Sequence, residues 1–289
     1  MSFSELIRRL REPQLVDRRL TVRERGYCFA WEVWAYAALG SVIGLDDANE
    51  PVILDRKGDS SVVLVPRSGG LAERPILRAL TAMDMAHGAY AICFGIRPIW
   101  PDLRTPRSDY IHGPDAMLLH VLALKEEADR RWTAGVPGEY QRISVTFSFE
   151  LIGLLHDHGH YAPAAIALEF LTDLLAGRFA DLGFSAALVV RELAGIAAWL
   201  PELGSVPRVL TASMPPGSRA AWCPDLADAP AAPAFLRRRR LVSRRLGASH
   251  VLPTGRAHLV HAGRAVAFRA LYLDNDETRA AAAGRVGDR

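Results

Sequence analysis

Apolar and polar positions change period several times along this chain, and each change marks a predicted element. A capping box, Ser2 with Glu5, opens a short helix in SFSELIRRLR, residues 2–11. LVDRRLTVRE (15–24) alternates with the period of a strand. YCFAWEVWAYAALGSVI (27–43) is apolar almost all round, with Glu32 as its single charge, which predicts a buried helix. VILDRK and SSVVLVP flank Gly58-Asp59 and predict a hairpin. Residues 72–87 suit a helix entered near Pro75, AYAICFGI (89–96) a short apolar strand, and 115–132 a helix following Pro114 at its first position.

Further along, three helices are expected over 145–157, 161–176 and 184–200, each ended by glycine or proline. FLRRRRLVSRRL carries an apolar side through Phe235, Leu236, Leu241, Val242 and Leu246, which reads as a docked helix. AHLVHAG and RAVAFRALYL then close as a hairpin, and the last dozen residues fray. The expected fold class is α+β and helix-rich: an N-terminal mixed α/β part, a helical middle, and a basic C-terminal helix plus hairpin. By the same pattern the chain divides into a mixed α+β domain (1–135), a helical hairpin region (136–200), a proline-rich linker or wrapping arm (201–233) and an arginine-rich appendage (234–289).

Composition narrows the class. Half of the 289 residues are hydrophobic, so the chain is globular, with enough length to bury a substantial core. It has no uncharged apolar run of about 18 residues and no signal-peptide pattern, so a cytoplasmic protein without membrane contact is expected. Cys28, Cys93 and Cys223 are far apart and show no CxxC spacing, which points to reduced thiols; Cys28 and Cys93 sit in apolar contexts and read as buried.

Charge is unevenly distributed. Between Ala229 and Leu273 there is no acid, while arginines stand at Arg237, Arg238, Arg239, Arg240, Arg244, Arg245, Arg256, Arg264 and Arg269. That segment carries a formal +9 and the remainder −6, against a net charge of +3. A concentrated positive surface is what phosphate recognition requires, and carboxylates of the same chain or of a partner are the other acceptors arginine suits.

Candidate chemistry is sparse. LLHDHGHYAPAA places His156, His158 and His160 at alternate positions, but Gly159 and Pro163 break a continuous helix, so a turn between helices is expected rather than a metal site. GHYAPAAIALEFL resembles the start of the second helix in a tetratricopeptide-type hairpin. Arg107-Ser-Asp-Tyr-Ile-His112 resembles the R-x4-to-6-H signature of the higher-eukaryote and prokaryote nucleotide-binding ribonucleases, which are all-helical and metal-independent. That resemblance implies that His112 shuttles a proton and Arg107 stabilises phosphorane charge.

Glu32 with Asp55-Arg-Lys57 is similar to the helix glutamate and [DE]-x-K strand of restriction-endonuclease-like nucleases. Phosphate loops of the GxxxxGK[ST] or GxGxxG type are missing, and Gly69-Gly70 precedes a helix without the rest of such a loop. The favoured expectation is therefore a nucleic-acid-associated, non-catalytic subunit or adaptor of a larger assembly, binding RNA or DNA phosphates through the arginines and using protein partners or self-association. The alternatives are a nuclease, with Arg107 and His112 as its centre or with the degenerate restriction-endonuclease-like set, and a purely protein-binding helical adaptor. No cofactor and no metal are expected.

Overall fold

A mixed sheet curls around one buried helix in the computed structural model, which describes residues 26–55, 61–65, 73–95, 107–135, 140–159, 161–189, 208–211, 255–261 and 264–284. The chain enters through β1 (Cys28–Phe29), α1 (Ala30–Val33), a 3-10 segment (Trp34–Leu39), β2 (Ser41–Asp46), β3 (Pro51–Leu54) and β4 (Ser61–Val65). Next come α2 (Glu73–Ala86), β5 (Tyr90–Phe94), β6 (Ser108–Ile111), α3 (Pro114–Ala134) and β7 (Ile143–Ser148). The remainder comprises α4 (Phe149–Asp157), α5 (Ala162–Leu175), β8 (Phe184–Val189), β9 (Arg208–Thr211), β10 (Arg256–His261), β11 (Arg264–Tyr272) and α6 (Asn275–Ala282).

Strand order is β3-β2-β11-β10-β9-β4-β8-β7-β5-β6, with β1 added beside β11. From β9 to β6 every pairing is parallel, and from β3 to β9 every pairing is antiparallel. Both faces of the parallel half are covered, as parallel sheets require. Side chains alternate accordingly: Val62 and Ala187 pack with Ile76, Leu77 and Leu80 of α2, whereas Val63, Ala186 and Leu188 pack with Val121, Leu155, Phe170 and Leu171 of α3, α4 and α5.

Every residue of α2 from Ile76 to Met85 is buried, three polar ones included. Asp84 accepts hydrogen bonds from Ser41 Oγ at 2.7 Å and Ser144 Oγ at 2.6 Å, joining β2 to β7 through one carboxylate. Those strands stand six places apart in the order. In a flat sheet they would be separated by about 29 Å, at ~4.8 Å per strand. The sheet therefore wraps α2. Arg78 closes the open side by donating from Nε to Thr278 Oγ1 (2.7 Å) and from Nη2 to Asp274 O (3.0 Å) and Asn275 Oδ1 (2.7 Å), which ties α6 down. Gly44 permits the tight approach of β2 to β11, since a Cβ there would lie 2.1 Å from Arg269 O.

Across the sheet, buried Arg131 of α3 plays the matching part. Its Nη1 donates to Gln141 O (3.0 Å) and Leu182 O (2.8 Å), its Nε donates to Glu127 Oε1 (2.7 Å), and its guanidinium stacks 4.9 Å from the ring centroids of Tyr140 and Phe184. One residue thus fixes the loops that lead into β7 and β8.

The expected mixture of helices and strands is present. The helices at 72–87, 115–132 and 161–176, the strand at 89–96 and the C-terminal hairpin appear within a few residues of their expected bounds. Other expectations need correction. The apolar stretch 27–43 is β1, a short helical passage and β2, because Cys28 and Phe29 pair with Leu271 and Tyr272, and Gly40 (φ +151°) lets the chain turn into β-branched Val42 and Ile43. Gly58-Asp59 does not join a hairpin: β3 pairs with β2, and β4 pairs with β8 and β9. The helices expected from 145 and 184 begin as strands β7 and β8, whose apolar runs have buried parallel neighbours. Residues 275–282 form a capped helix, Asp274 Oδ1 accepting from Glu277 N and Glu277 Oε2 from Asp274 N. The predicted helix at 2–11, the strand at 15–24 and the arginine-rich helix lie outside the described residues.

Two predictions follow from this packing. Asp84→Ala leaves two buried hydroxyls without their shared acceptor and should lower unfolding stability in urea by roughly 3 kcal/mol, against about 1 for Ser144→Ala. Equal, negligible losses would show that the carboxylate does not hold the curl. Glu127 accepts from Arg130 first and Arg131 second, and despite an opposing contribution from burial its carboxyl is held down from 4.5 to about 2. With the folded value below the unfolded one, this contribution is present above pH 4.5 and is lost as pH falls towards 2. Thermal melts should show the wild-type advantage over Glu127→Gln shrinking across that window.

Candidate functional site

The parallel half of the sheet aligns its carboxyl ends along one rim. Register pairs Val65 with Thr211, Leu64 with Val189, Val189 with Ser148, Phe147 with Phe94 and Phe94 with Ile111. Three helices begin at this rim: α2 after residues 66–72, α3 after His112-Gly113, and α4 directly after Ser148. Their first-turn N–H groups lack helical partners and carry partial positive charge, which favours anions at this edge. Gly95 (φ +68°) donates its N–H to Ile111 O at 3.0 Å, and a Cβ built there would lie 3.8 Å from both Ser148 Oγ and Met117 Sδ.

Topology singles out one point on the rim. The connection leaving β4 passes through α2 to β5, beyond β8 and β7, whereas the one leaving β8 returns to β9 on the opposite flank of β4. Chain paths therefore diverge from neighbouring strands β4 and β8. In open α/β sheets this is where ligands bind. Strand β4, flanked on both sides by parallel strands and followed by the enclosed helix α2, has the strand–loop–helix order of a phosphate-binding loop.

The residues joining β4 to α2 read Pro66-Arg-Ser-Gly-Gly-Leu-Ala72. With Gly70 set on the second glycine of GxxxxGK[ST], Val65 stands for the first glycine, Leu71 for the lysine and Ala72 for the hydroxyl residue. The lysine and the hydroxyl residue of that motif thus correspond here to two apolar residues. On the sequence, Gly69-Gly70 before a helix was set aside because the rest of the motif is missing. The signal available was the order of apolar strand, Gly-Gly and helix.

The other candidate residues do not converge. Arg107 precedes β6 and His112 follows it, both exposed. The four extended residues of β6 (Ser108–Ile111) lie between them and span about 13 Å at ~3.3 Å per residue. His112 instead stacks on Tyr110, with ring centroids 6.0 Å apart. Glu32 accepts from Phe29 N at 2.8 Å and lies 3.7 Å from Arg269 Nη1; Asp55 is at the end of β3, and Lys57 lies outside the described residues. Arg269 also donates to Asn49 Oδ1 at 2.8 Å, so its charge is engaged within the chain.

Arg256 and Arg264 lie on the strands of the hairpin, opposite Arg269 and His261 respectively. Arg237, Arg238, Arg239, Arg240, Arg244 and Arg245 lie outside the described residues. His156 and His158 belong to the turn that ends α4, and His160 is outside the described residues. Cys28 and Cys93 are buried; burial, with Glu32 adding to it at Cys28, pushes each thiol up to about 12, so neither is a nucleophile at neutral pH. Among the described residues, no helix is long and apolar enough to cross a membrane.

No protein-family model matches the chain, and no curated protein matches it. Solved structures do. The pCW3 conjugation coupling protein TcpA, in its monomer form with ATPgS, aligns with a TM-score of 0.58 at 17% identity over 82% of this chain and 66% of its own. EssC (ATPases 2 and 3) from Geobacillus thermodenitrificans aligns at 0.56 and 13% identity over 84% of this chain and 47% of its own. The cytoplasmic domain of the Thermomonospora curvata type VII secretion ATPase EccC aligns at 0.53 and 17% identity over 81% of this chain and 26% of its own. The chain thus spans only part of these proteins. Their fold overturns the expectation of a nucleic-acid-associated non-catalytic adaptor, and with it the nuclease and helical-adaptor alternatives: the chain has the fold of secretion and conjugation ATPases.

Proposed function

We propose that this chain is an ATPase-type domain that binds a nucleoside triphosphate at the junction of β4 and α2 and works within a larger transport assembly. The observation that carries this reading is the placement of β4 between two parallel strands, β8 and β9, with seven residues leading from its carboxyl end into α2. Backbone N–H groups around Gly69-Gly70 and the first turn of α2 would face the phosphates, and Arg67 is the cation within the loop.

The replaced side chains set the expected rate. Leu71 supplies no charge to the transferring phosphoryl group, and Ala72 supplies no metal ligand. Binding should survive on the amide donors, while turnover by the chain alone should be slow. The transport setting is inferred from the names of the similar structures, and the short share of EccC that this chain spans favours neighbouring ATPase-fold domains as partners.

A fluorescent ATP analogue should bind saturably in the presence of magnesium, be displaced by ATP, and lose binding in Gly70→Glu, which sets a carboxylate among the amide donors. Turnover by the isolated chain should stay below about 1 per second, against roughly 10 for a median enzyme. Absence of saturable binding at millimolar nucleotide, where about 4 kcal/mol of affinity suffices, would refute the reading.

A further inference from the structure

Ser148 carries a buried hydroxyl that the fold leaves uncommitted. It ends β7 and is the N-cap of α4, at 7% exposure, yet its side chain makes no capping hydrogen bond and has no other partner among the described residues. Buried polar groups are nearly always hydrogen-bonded, so one left over points to a ligand. The first-turn N–H groups of α4, a nine-residue helix, open beside this hydroxyl and lack helical partners of their own. Gly95, at the end of neighbouring β5, adds room: its φ is +68°, and a Cβ there would stand 3.8 Å from Ser148 Oγ. Glu150, the acid of this first turn, is exposed, where solvent and salt screen its charge.

The strand also turns this hydroxyl to the side of the sheet that α2 occupies. Val145 and Phe147 pack with α3, α4 and α5, whereas Ser144, on the same face of β7 as Ser148, donates from Oγ to Asp84 of α2. From Glu73 to Asp84 α2 rises about 16 Å at ~1.5 Å per residue, and from Ser144 to Ser148 β7 advances about 13 Å at ~3.3 Å per residue. Ser148 thus stands nearly level with the start of α2. Only β8 separates β7 from β4, which puts Ser148 about 10 Å from the end of β4 at ~4.8 Å per strand. Helix starts favour anions through their amides and dipole, and a hydroxyl beside them gives an oxyanion one more donor. We infer that Ser148 Oγ and the first-turn amides of α4 form an oxyanion site that takes a phosphoryl group. The site does not depend on nucleotide binding at the β4–α2 junction; its phosphoryl group comes from the end of a nucleotide or from free phosphate.

Inorganic phosphate is the probe. Calorimetric titration of the full chain should show saturable binding in the millimolar range, weakened about tenfold in Ser148→Ala, the effect of losing one hydrogen bond to a charged acceptor. The melting temperature of Ser148→Ala should match that of the wild type, because the hydroxyl has no capping bond to lose. ATP and ADP sort the sources. Displacement of phosphate by ATP but not by ADP, with ATP alone weakened in Ser148→Ala, supports the site as the seat of a nucleotide's terminal phosphate. Phosphate that stays bound in the presence of both supports it as a site for free phosphate. Phosphate binding of equal strength in wild type and Ser148→Ala, or none at tens of millimolar, overturns the inference. Ser148-dependent phosphate binding without any binding of ATP upholds it and counts against nucleotide binding at the β4–α2 junction.

Discussion

Asp84 has no exposed surface, yet its carboxylate receives hydroxyl hydrogen bonds from two strands six places apart in the sheet. A buried polar group is tolerable only when it is well partnered, and Ser41 and Ser144 lie on opposite limbs of a curled sheet. Much of the architecture depends on that constraint. With the limbs drawn together, α2 is enclosed rather than laid on a flat surface, Arg78 is held against α6, and Gly44 must be small where β2 presses on β11. The start of α2 is thereby fixed at the carboxyl rim beside β4.

Helix starts follow parallel strands along the carboxyl rim, while Leu71 and Ala72 stand where GxxxxGK[ST] has its cation and its hydroxyl. Geometry and side-chain chemistry separate because they have different physical origins. The converging helix starts are properties of the backbone and persist while the parallel strands and α2 pack as they do. Lysine charge and magnesium ligation belong to two side chains, and at the aligned positions this sequence has Leu71 and Ala72.

Charge shows the same dependence on context. A run of nine arginines without an acid reads as a phosphate surface, yet Arg269 lies beside Glu32 and donates to Asn49 across 220 positions of sequence. Arg131 was unremarked in the sequence because it sits in an ordinary charged helix. Its burial, two carbonyl acceptors and two aromatic neighbours appear only once the loops before β7 and β8 are in place. In the Arg107 to His112 interval the sequence spacing was real but its meaning depended on conformation: in a helix five residues nearly close a turn and a half, whereas in strand β6 they separate the ends.

By itself the sequence determined the local elements with clear signals: α2 and α3 from periodicity and proline placement, β5 from a bounded apolar run, the turn after α4 from Gly159 and Pro163, and the burial of Cys28 and Cys93 from their apolar surroundings. These depend on interactions within a few turns or residues. Tertiary structure alone decided that 27–43, 143–148 and 184–189 contribute strands, because apolar runs suit a helix or a buried strand equally and the choice rests on distant hydrogen-bonding partners such as Leu271 for Cys28. It also decided the candidate site, since neither the divergence of paths at β4 and β8 nor the wrapping of α2 exists until strands remote in sequence lie side by side.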